Sequence, residues 1–455
     1  MGVPARMKAG AWTSQGTALV TDARLRMTLP IIRSLGRAGI SVTVAEQDFG
    51  DGRPIIGFHS KYVTDRIRLP RTSEGSNLSF IRELVKAASR VDAVFAVSGQ
   101  AVFGLASYIE SLASPRANQI LTSEHAEAGT EEAPPWPGPL EIAQKVALPP
   151  LESLRTAHDK AKCTALAEGL GIPVPRHFDP VKDGVPLPPA TRETSAESRR
   201  IDSSTIHELS SWAEILPYPV IVKYRSGEDL GVPAKDRYRV CRDPGELVRA
   251  YLMIHSRQPY PLIEEYIEGE DFGAAILMNR GTDVVASFTY RSIRQHPKAG
   301  GPTTYAESAT VPILSERLVR LLRALKWHGI AMADFRKDAQ GEFRLLEINP
   351  RFWGSLALAI DAGVNFPLLY YRLVTGREVR PSTTQKDGVR IRFLPQDLLS
   401  CLEYSRTASN RFSYFLGSLA DFLSLRAKTG VFDLADPLPG IYYLKHILGK
   451  ARNVE

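Results

Sequence analysis

Cysteine is scarce: three residues, Cys163, Cys241 and Cys401, in a chain of 455. They lie far apart and form no CxxC or Cys/His spacing, so neither a disulfide framework nor a zinc site is expected. Reduced thiols and a cytoplasmic location are the simplest expectation. Long apolar runs are equally scarce. The most membrane-like one, Phe352 to Tyr371, is interrupted by Asp361, Asn365 and Pro367. It reads as buried helix, with no membrane span. The first residues, MGVPARMKAGAWTSQG, lack the apolar core of a signal peptide. Arg6 stands where a myristoylation motif wants Ser or Thr. Although the net charge is +7, there is no Lys/Arg run and no basic motif interleaved with aromatics. Nucleic acid is therefore not an expected partner, and the basic balance suits a smaller anion such as a nucleotide. No GxGxxG follows the first strand and no Walker A motif is present, which excludes the two familiar Gly-rich phosphate loops. No internal repeat is visible.

What is present is 44% apolar and 24% charged, enough to bury a core, at a length that suggests two to four domains or subdomains. Ala18 to Val20 opens a strand, and Leu29, Ile32 and Leu35 space a helix that stops at Gly39. ISVTVAEQD is a second strand. A helix near Phe80 to Ala88 and the strand DAVFAVSG follow. This alternation predicts a small parallel α/β domain over residues 17–115. Residues 116–150, rich in Pro, Gly and acid, read as a linker. LESLRTAHDKAKCTALAEGLG reads as one helix ending at Gly171, and residues 182–204 as a polar surface insertion of disordered composition. From Pro217 strands dominate: PVIVKY, YRVCR, PLIEEYI, FGAAIL and VVASFTY. A helix, Ser315 to Trp327, precedes the strands GIAMADFRKD and EFRLLEIN. Residues 380–455 mix aromatic and basic residues without a pattern that assigns them a role.

The segment FRLLEINPRFWGS poses a chemical problem. Leu345, Leu346 and Ile348 mark a buried strand, yet Glu347 sits in its middle, and burying a charge needs compensation. Asp338 to Gly341 is turn chemistry. A hairpin closing there sets Asp334 opposite Glu347, and directly opposed residues share a face about 5 Å apart. Asn349 points the same way. Two facing carboxylates and an amide oxygen suit a hard divalent cation, and Mg²⁺ beside phosphates is the usual case. Arg351 projects just beyond, fit to hold a phosphoryl or carboxylate group. A solvent-facing acidic pair is the alternative. Met332 and Leu345, expected as apolar neighbours on that face, weigh against it.

Lys223 ends the apolar strand PVIVK and is followed by a turn, Gly227 to Gly231. A strand-end lysine reaches a phosphate as a point charge while the turn folds over it; a snorkelling surface lysine is the alternative. IEEYIEGEDF carries Glu264, Glu265, Glu268, Glu270 and Asp271 between two apolar strands. Such a connection offers adenine a backbone edge and ribose a carboxylate, although a solvated acidic loop has the same composition.

In order, HDKAK, GIPVP, PVIVK, IEEYIEGEDF, ADF and LLEINPR resemble the ATP-grasp superfamily over roughly Leu151 to Leu373. EINPRFWGSLALAIDAGVNFPLL is similar to its carbamoyl-phosphate-synthase-like subgroup, which includes carboxylate–amine ligases. The resemblance implies a parallel α/β pre-ATP-grasp domain, then an ATP-grasp domain over residues 151–379 built of two α+β subdomains with ATP between them. It implies phosphate contacts from Lys160 and Lys223. Adenine would be held by Glu264 and the backbone at Tyr266 and Ile267, and ribose by Asp271. Mg²⁺ (or Mn²⁺) would sit on Asp334, Glu347 and Asn349. Arg351 would steady the transferring phosphoryl group. RSIRQHPKAGGPTTYAES resembles the loop facing the phosphoryl acceptor, which brings Arg294 and Lys298 to an anionic substrate; a basic surface loop is the alternative. His296 reads as structural or solvent-exposed.

The activity implied is ATP-dependent ligation of a small-molecule carboxylate to an amine through an acyl phosphate. A bicarbonate-using carboxylase is the second enzyme reading. RQHPK faintly resembles biotin carboxylases, but RFWGS lacks the acid those enzymes carry after the metal-strand Arg. A non-catalytic ATP-binding protein and a nucleic-acid module are the readings from other classes. Dimers are common among similar ligases, so a homodimer is one expectation for the assembly.

Overall fold

The computed structural model describes residues 15–71, 78–111, 137–187, 201–227, 230–233, 236–298, 300–407, 410, 413, 416–418, 422 and 427–452. The chain divides into two units. One combines Met1–Leu148, Asn365–Pro381 and Gly430–Glu455; the other combines Pro149–Val364 and Ser382–Thr429.

The first unit holds a parallel sheet ordered β3-β2-β1-β4. Its strands are β1 (Thr17–Val20), β2 (Ser41–Gln47), β3 (Val63–Leu69) and β4 (Ala93–Phe95). Ala18, Leu19, Val20, Val42, Val44 and Val94 are fully buried. That near-continuous apolar character is what strands covered on both faces require. The helix Thr28–Arg37 buries Leu29, Ile31, Ile32 and Leu35, and Gly39 beyond it takes φ +75°. Two later segments complete the unit. Tyr370 donates its hydroxyl to the Val94 carbonyl at 3.1 Å and accepts from Ala147 N at 3.0 Å. Asp436, 1% exposed, receives Arg33 Nε at 2.9 Å, Ser60 Oγ at 2.8 Å and Lys61 N at 2.8 Å. The stretch expected as a linker contains a helix, Pro139–Lys145; residues 116–136 of it lie outside the described residues.

The second unit contains two antiparallel sheets. The smaller is ordered β5-β8-β6-β7, from β5 (His177–Phe178), β6 (Val220–Lys223), β7 (Tyr238–Cys241) and β8 (Leu262–Glu265). The helices Ser203–Ala213 and Pro244–His255 cover it with Leu209, Trp212, Leu247, Tyr251 and Ile254 packed on Val220, Val222 and Ile263. The larger sheet is ordered β13-β12-β9-β10-β11-β14-β15. It comprises β9 (Glu270–Met278), β10 (Val284–Gln295), β11 (Thr303–Ser308), β12 (Gly329–Lys337), β13 (Phe343–Asn349), β14 (Arg390–Arg392) and β15 (Ala427–Thr429), antiparallel except for the β14–β15 pair. The fold is thus the parallel α/β sheet followed by antiparallel α+β layers that the motifs implied.

Three readings of local structure are corrected. The helix expected over Leu151 to Gly171 is two helices, Leu151–His158 and Lys160–Gly169, because Asp159 leaves helical geometry (φ −77°, ψ 107°) and caps the second through Ala161 N and Lys162 N. The helix expected from Ser315 runs Pro312–Ala324, with proline at its first turn. Phe352–Tyr371 holds parts of two helices, Leu356–Asp361 and Phe366–Val374. Among the described residues no helix is long and apolar enough to cross a membrane. Of the polar insertion, residues 188–200 lie outside the described residues.

Candidate active site

The hairpin β12–β13 pairs Asp334 with Glu347, as a cation site needs, but not by simple symmetric closure. From the turn outwards the partners are Lys337–Phe343, Arg336–Arg344 and Phe335–Leu345; then the register shifts and Asp334 meets Glu347. Leu346 is the extra residue of a β-bulge, and without it Leu346 itself would oppose Asp334. The bulge also corrects the expected neighbours. Leu345 pairs with Phe335 and so leaves the Asp334 face, whereas Met332, two residues before Asp334, keeps it. Asn349 donates from Nδ2 to Asp334 Oδ2 at 3.0 Å and lies 3.7 Å from Met332 Sδ.

The cations arrive from other elements of the same unit. Asp159 places Lys160 at the first residue of its helix, and Arg225, just after β6, holds Asp159 at 2.7 Å. Lys160 Nζ lies 2.7 Å from Glu347 Oε2. Lys223, at the end of β6, lies 2.6 Å from Oε2 of Glu264, a β8 carboxylate only 1% exposed. Burial raises the Glu347 carboxyl, but the Lys160 charge and hydrogen bond, with Lys223 and Arg351 behind them, outweigh it and hold the group well below the usual carboxylate range. Burial and the charges of Glu347 and Asp271 push Asp334 the other way, well above that range, with Arg351 and Lys160 offsetting only part. Neighbouring carboxylates driven apart in this way mark a place where a further cation is favoured.

Among the described residues no three His, Cys, Asp or Glu side chains gather around one point. The donor set is two carboxylates and one amide, which fits Mg²⁺: that ion keeps one or two carboxylates and takes its remaining ligands from water and substrate phosphates.

The other expected site residues fall into two groups. Near the hairpin, Asp271 on β9 binds Arg336 Nε through Oδ1 at 2.7 Å, and the Ile267 carbonyl accepts from Arg336 NH1 at 3.1 Å. Tyr266 N donates to the Pro219 carbonyl at 3.1 Å, and the Arg336 guanidinium stands 5.9 Å from the Tyr266 ring centre. The second group lies on the segment expected as a loop, which is largely strand, with its turn between β10 and β11. Arg294 lies within β10, 4% exposed, with Nε and NH2 both 2.8 Å from the Asp397 carboxylate. Lys298 is in the turn; its N donates to Glu403 Oε1 at 3.0 Å, and His296 Nδ1 is 3.0 Å from Glu403 Oε2. The helix Gln396–Thr407 thus anchors this turn. Gly227 accepts from Val232 N at 3.0 Å; residues 228–229 of the expected covering turn lie outside the described residues.

Two contributors were missed in the sequence. Arg336 lies two residues beyond Asp334 on its face, a signal that strand alternation already carried. Gly273 pairs with Asp334 across β9, and a Cβ there would stand 2.2 Å from the Tyr290 ring; a glycine inside an apolar strand was the available sign.

Residues 257–396 match the family model described as an ATP-grasp in the biosynthetic pathway with Ter operon. No curated protein matches the chain in sequence. Among solved structures, the chain is similar to the biotin carboxylase domain of 2-oxoglutarate carboxylase from Hydrogenobacter thermophilus, a dimer in complex with MgADP, ADP and bicarbonate. That match has 16% identity and TM-score 0.54, and covers 82% of this chain and 73% of that one. Biotin carboxylase from Campylobacter jejuni, in a complex with β-γ-ATP, gives 16% identity and TM-score 0.53 over 83% and 74% of the two chains. N5-carboxyaminoimidazole synthetase from Staphylococcus aureus gives 12% and 0.52 over 81% and 79%. At these identities the likeness is one of fold.

Proposed function

Since the chain is an ATP-grasp superfamily protein, we propose that it is an ATP- and Mg²⁺-dependent ligase that joins a carboxylate to an amine. The observation that carries this reading is the register pair Asp334–Glu347, with Asn349 beside it and Lys160 on Glu347. The carboxylate oxygen attacks the γ-phosphorus of ATP, the bond to the β–γ bridging oxygen breaks, and ADP leaves. The amine nitrogen then attacks the acyl phosphate carbon, phosphate departs, and the amine loses a proton.

Asp334, Glu347 and Asn349 would hold Mg²⁺ or Mn²⁺, which supplies charge neutralisation at the phosphates. Lys160, 2.7 Å from Glu347 Oε2, would be free to meet a phosphate oxygen where a bound cation balances that carboxylate. Lys223 stands beside Glu264 for the same purpose. The backbone at Tyr266 and Ile267 would hold adenine and Asp271 the ribose. Arg351 would offset charge on the transferring group and Lys298 would face the acceptor, whereas Arg294, expected beside it, is buried with two nitrogens on Asp397 and serves as a fastening. The chain's contribution is position and electrostatics rather than covalent catalysis.

The test is ADP formation with Mg²⁺ and a panel of carboxylates, with hydroxylamine as the trap and Glu347→Ala as control. Carboxylate-dependent ADP with a hydroxamate, both lost in the variant, is the expected result. ADP formation that depends on bicarbonate alone supports a carboxylase instead. ATP binding without turnover over a broad panel supports a non-catalytic nucleotide-binding protein.

A further inference from the structure

We propose that Arg336 is a positioning residue that sets the purine- and ribose-reading connection between β8 and β9 from the metal strand β12. The proposal rests on the ATP reading above and adds to it a residue and a division of labour within the site.

Met332, Asp334 and Arg336 share one face of β12. Arg336 is directly paired with Asp271 on β9, two residues along from the Asp334–Gly273 pair. Its side chain is 10% exposed and makes two bonds to different parts of the connection: Nε to Asp271 Oδ1 at 2.7 Å and NH1 to the Ile267 carbonyl at 3.1 Å. The same connection passes against the end of β12 so closely that a Cβ on Gly269 would stand 1.9 Å from the Lys337 carbonyl. On its other side it is tied to the smaller sheet by Tyr266 N to the Pro219 carbonyl at 3.1 Å. One guanidinium therefore fixes the backbone at Ile267 and the orientation of Asp271 together. Asp271 Oδ2 can then accept from a ribose hydroxyl while Oδ1 stays on Arg336 Nε. A planar fork with several donors can bridge two acceptors in this way; the single ammonium of lysine cannot reproduce the geometry. The phosphates, by contrast, fall to Lys160 and Lys223, which Arg336 does not touch.

The test measures equilibrium binding of Mg·ATP, Mg·GTP and inorganic tripolyphosphate to the full chain and to its Arg336→Met and Arg336→Lys variants, with thermal unfolding in parallel. Losing a charged hydrogen-bonding partner predicts at least a tenfold weakening of ATP in Arg336→Met, a narrower ATP-over-GTP preference and tripolyphosphate affinity within about twofold of wild type. Arg336→Lys, which keeps the charge, falls between and serves as the deciding variant should Arg336→Met not fold. Equal losses for ATP and tripolyphosphate would reduce Arg336 to a structural role and overturn the proposal. ATP affinity at the wild-type level in both variants overturns it as well while leaving the ATP reading intact. A wild-type chain that binds no ATP overturns both.

Discussion

The seven-stranded sheet carries two ionic clusters of opposite construction. On β10 and β14, one carboxylate, Asp397, is shared by two buried arginines, Arg294 and Arg392, at 2.8 and 2.9 Å. Thr304 and Ser400 add a hydroxyl pair at 2.7 Å, and both guanidiniums stand within 5 Å of the Tyr305 ring centre. On β12 and β13, two carboxylates face each other and the nearest ammonium, Lys160, comes from a helix start outside the sheet. The first arrangement satisfies its carboxylate from both sides and holds a helix to two strands. The second keeps like charges together and becomes favourable when a further cation joins. The same residue chemistry on one sheet is a fastening in one place and a poised site in the other.

This contrast can be broken from either side. The largest expected effect is on turnover: Glu347→Gln should lower ADP formation by at least about 100-fold, the scale of removing one oriented charge-stabilising group, with little loss of thermal stability. A variant that unfolds instead would make Glu347 a fastening too. Next is Asp397→Asn, which leaves two buried guanidiniums short of their anion. A cost of about 3–5 kcal/mol is expected, read as a lower denaturation midpoint, with the activity of the remaining folded fraction largely kept.

The pH dependence of the metal-free protein sharpens the comparison further. The folded-state pKa of Asp334 is raised above its unfolded value, to about 8 from 3.8. The folded state then binds more protons than the unfolded state across that interval. Stability should fall as pH climbs from about 4 towards 8. Thermal unfolding in a chelator should show the slope, and Asp334→Asn or added Mg²⁺ should flatten it; a slope unchanged by both would remove the like-charge account. The smallest effect is expected at Arg155–Glu152, 3.7 Å apart with side chains 54% and 67% exposed. Glu152→Ala should move stability by less than about 0.5 kcal/mol.

Much of the fold was readable because burial imposes periodicity. Ala18–Val20, the spacing of Leu29, Ile32 and Leu35, and the runs around Val220 and Ala274 declare strands and helices by which residues must avoid water. The missed elements have weaker patterns. β3, VTDRIRL, sits at a sheet edge with four exposed residues, so its three apolar residues made only a weak pattern. The helix Pro244–His255 begins with proline and glycine, which read as a break although proline is tolerated in a first turn. Asp159 was hidden inside a helical pattern because capping depends on one backbone angle rather than on hydrophobicity.

For the site, the sequence alone determined the chemistry available: a carboxylate inside an apolar strand, a second one across a turn, an amide and an arginine after them, and lysines at element ends. These follow from local pattern and from the cost of burying charge. Tertiary structure decided who meets whom. The Leu346 bulge brings Glu347 rather than a leucine to Asp334. Arg336 takes up Asp271 and the Ile267 carbonyl, and Asp397, more than a hundred residues away in the chain, claims Arg294. Registers and ion pairs are settled by the sum of contacts between segments distant in sequence, and no local rule carries that sum.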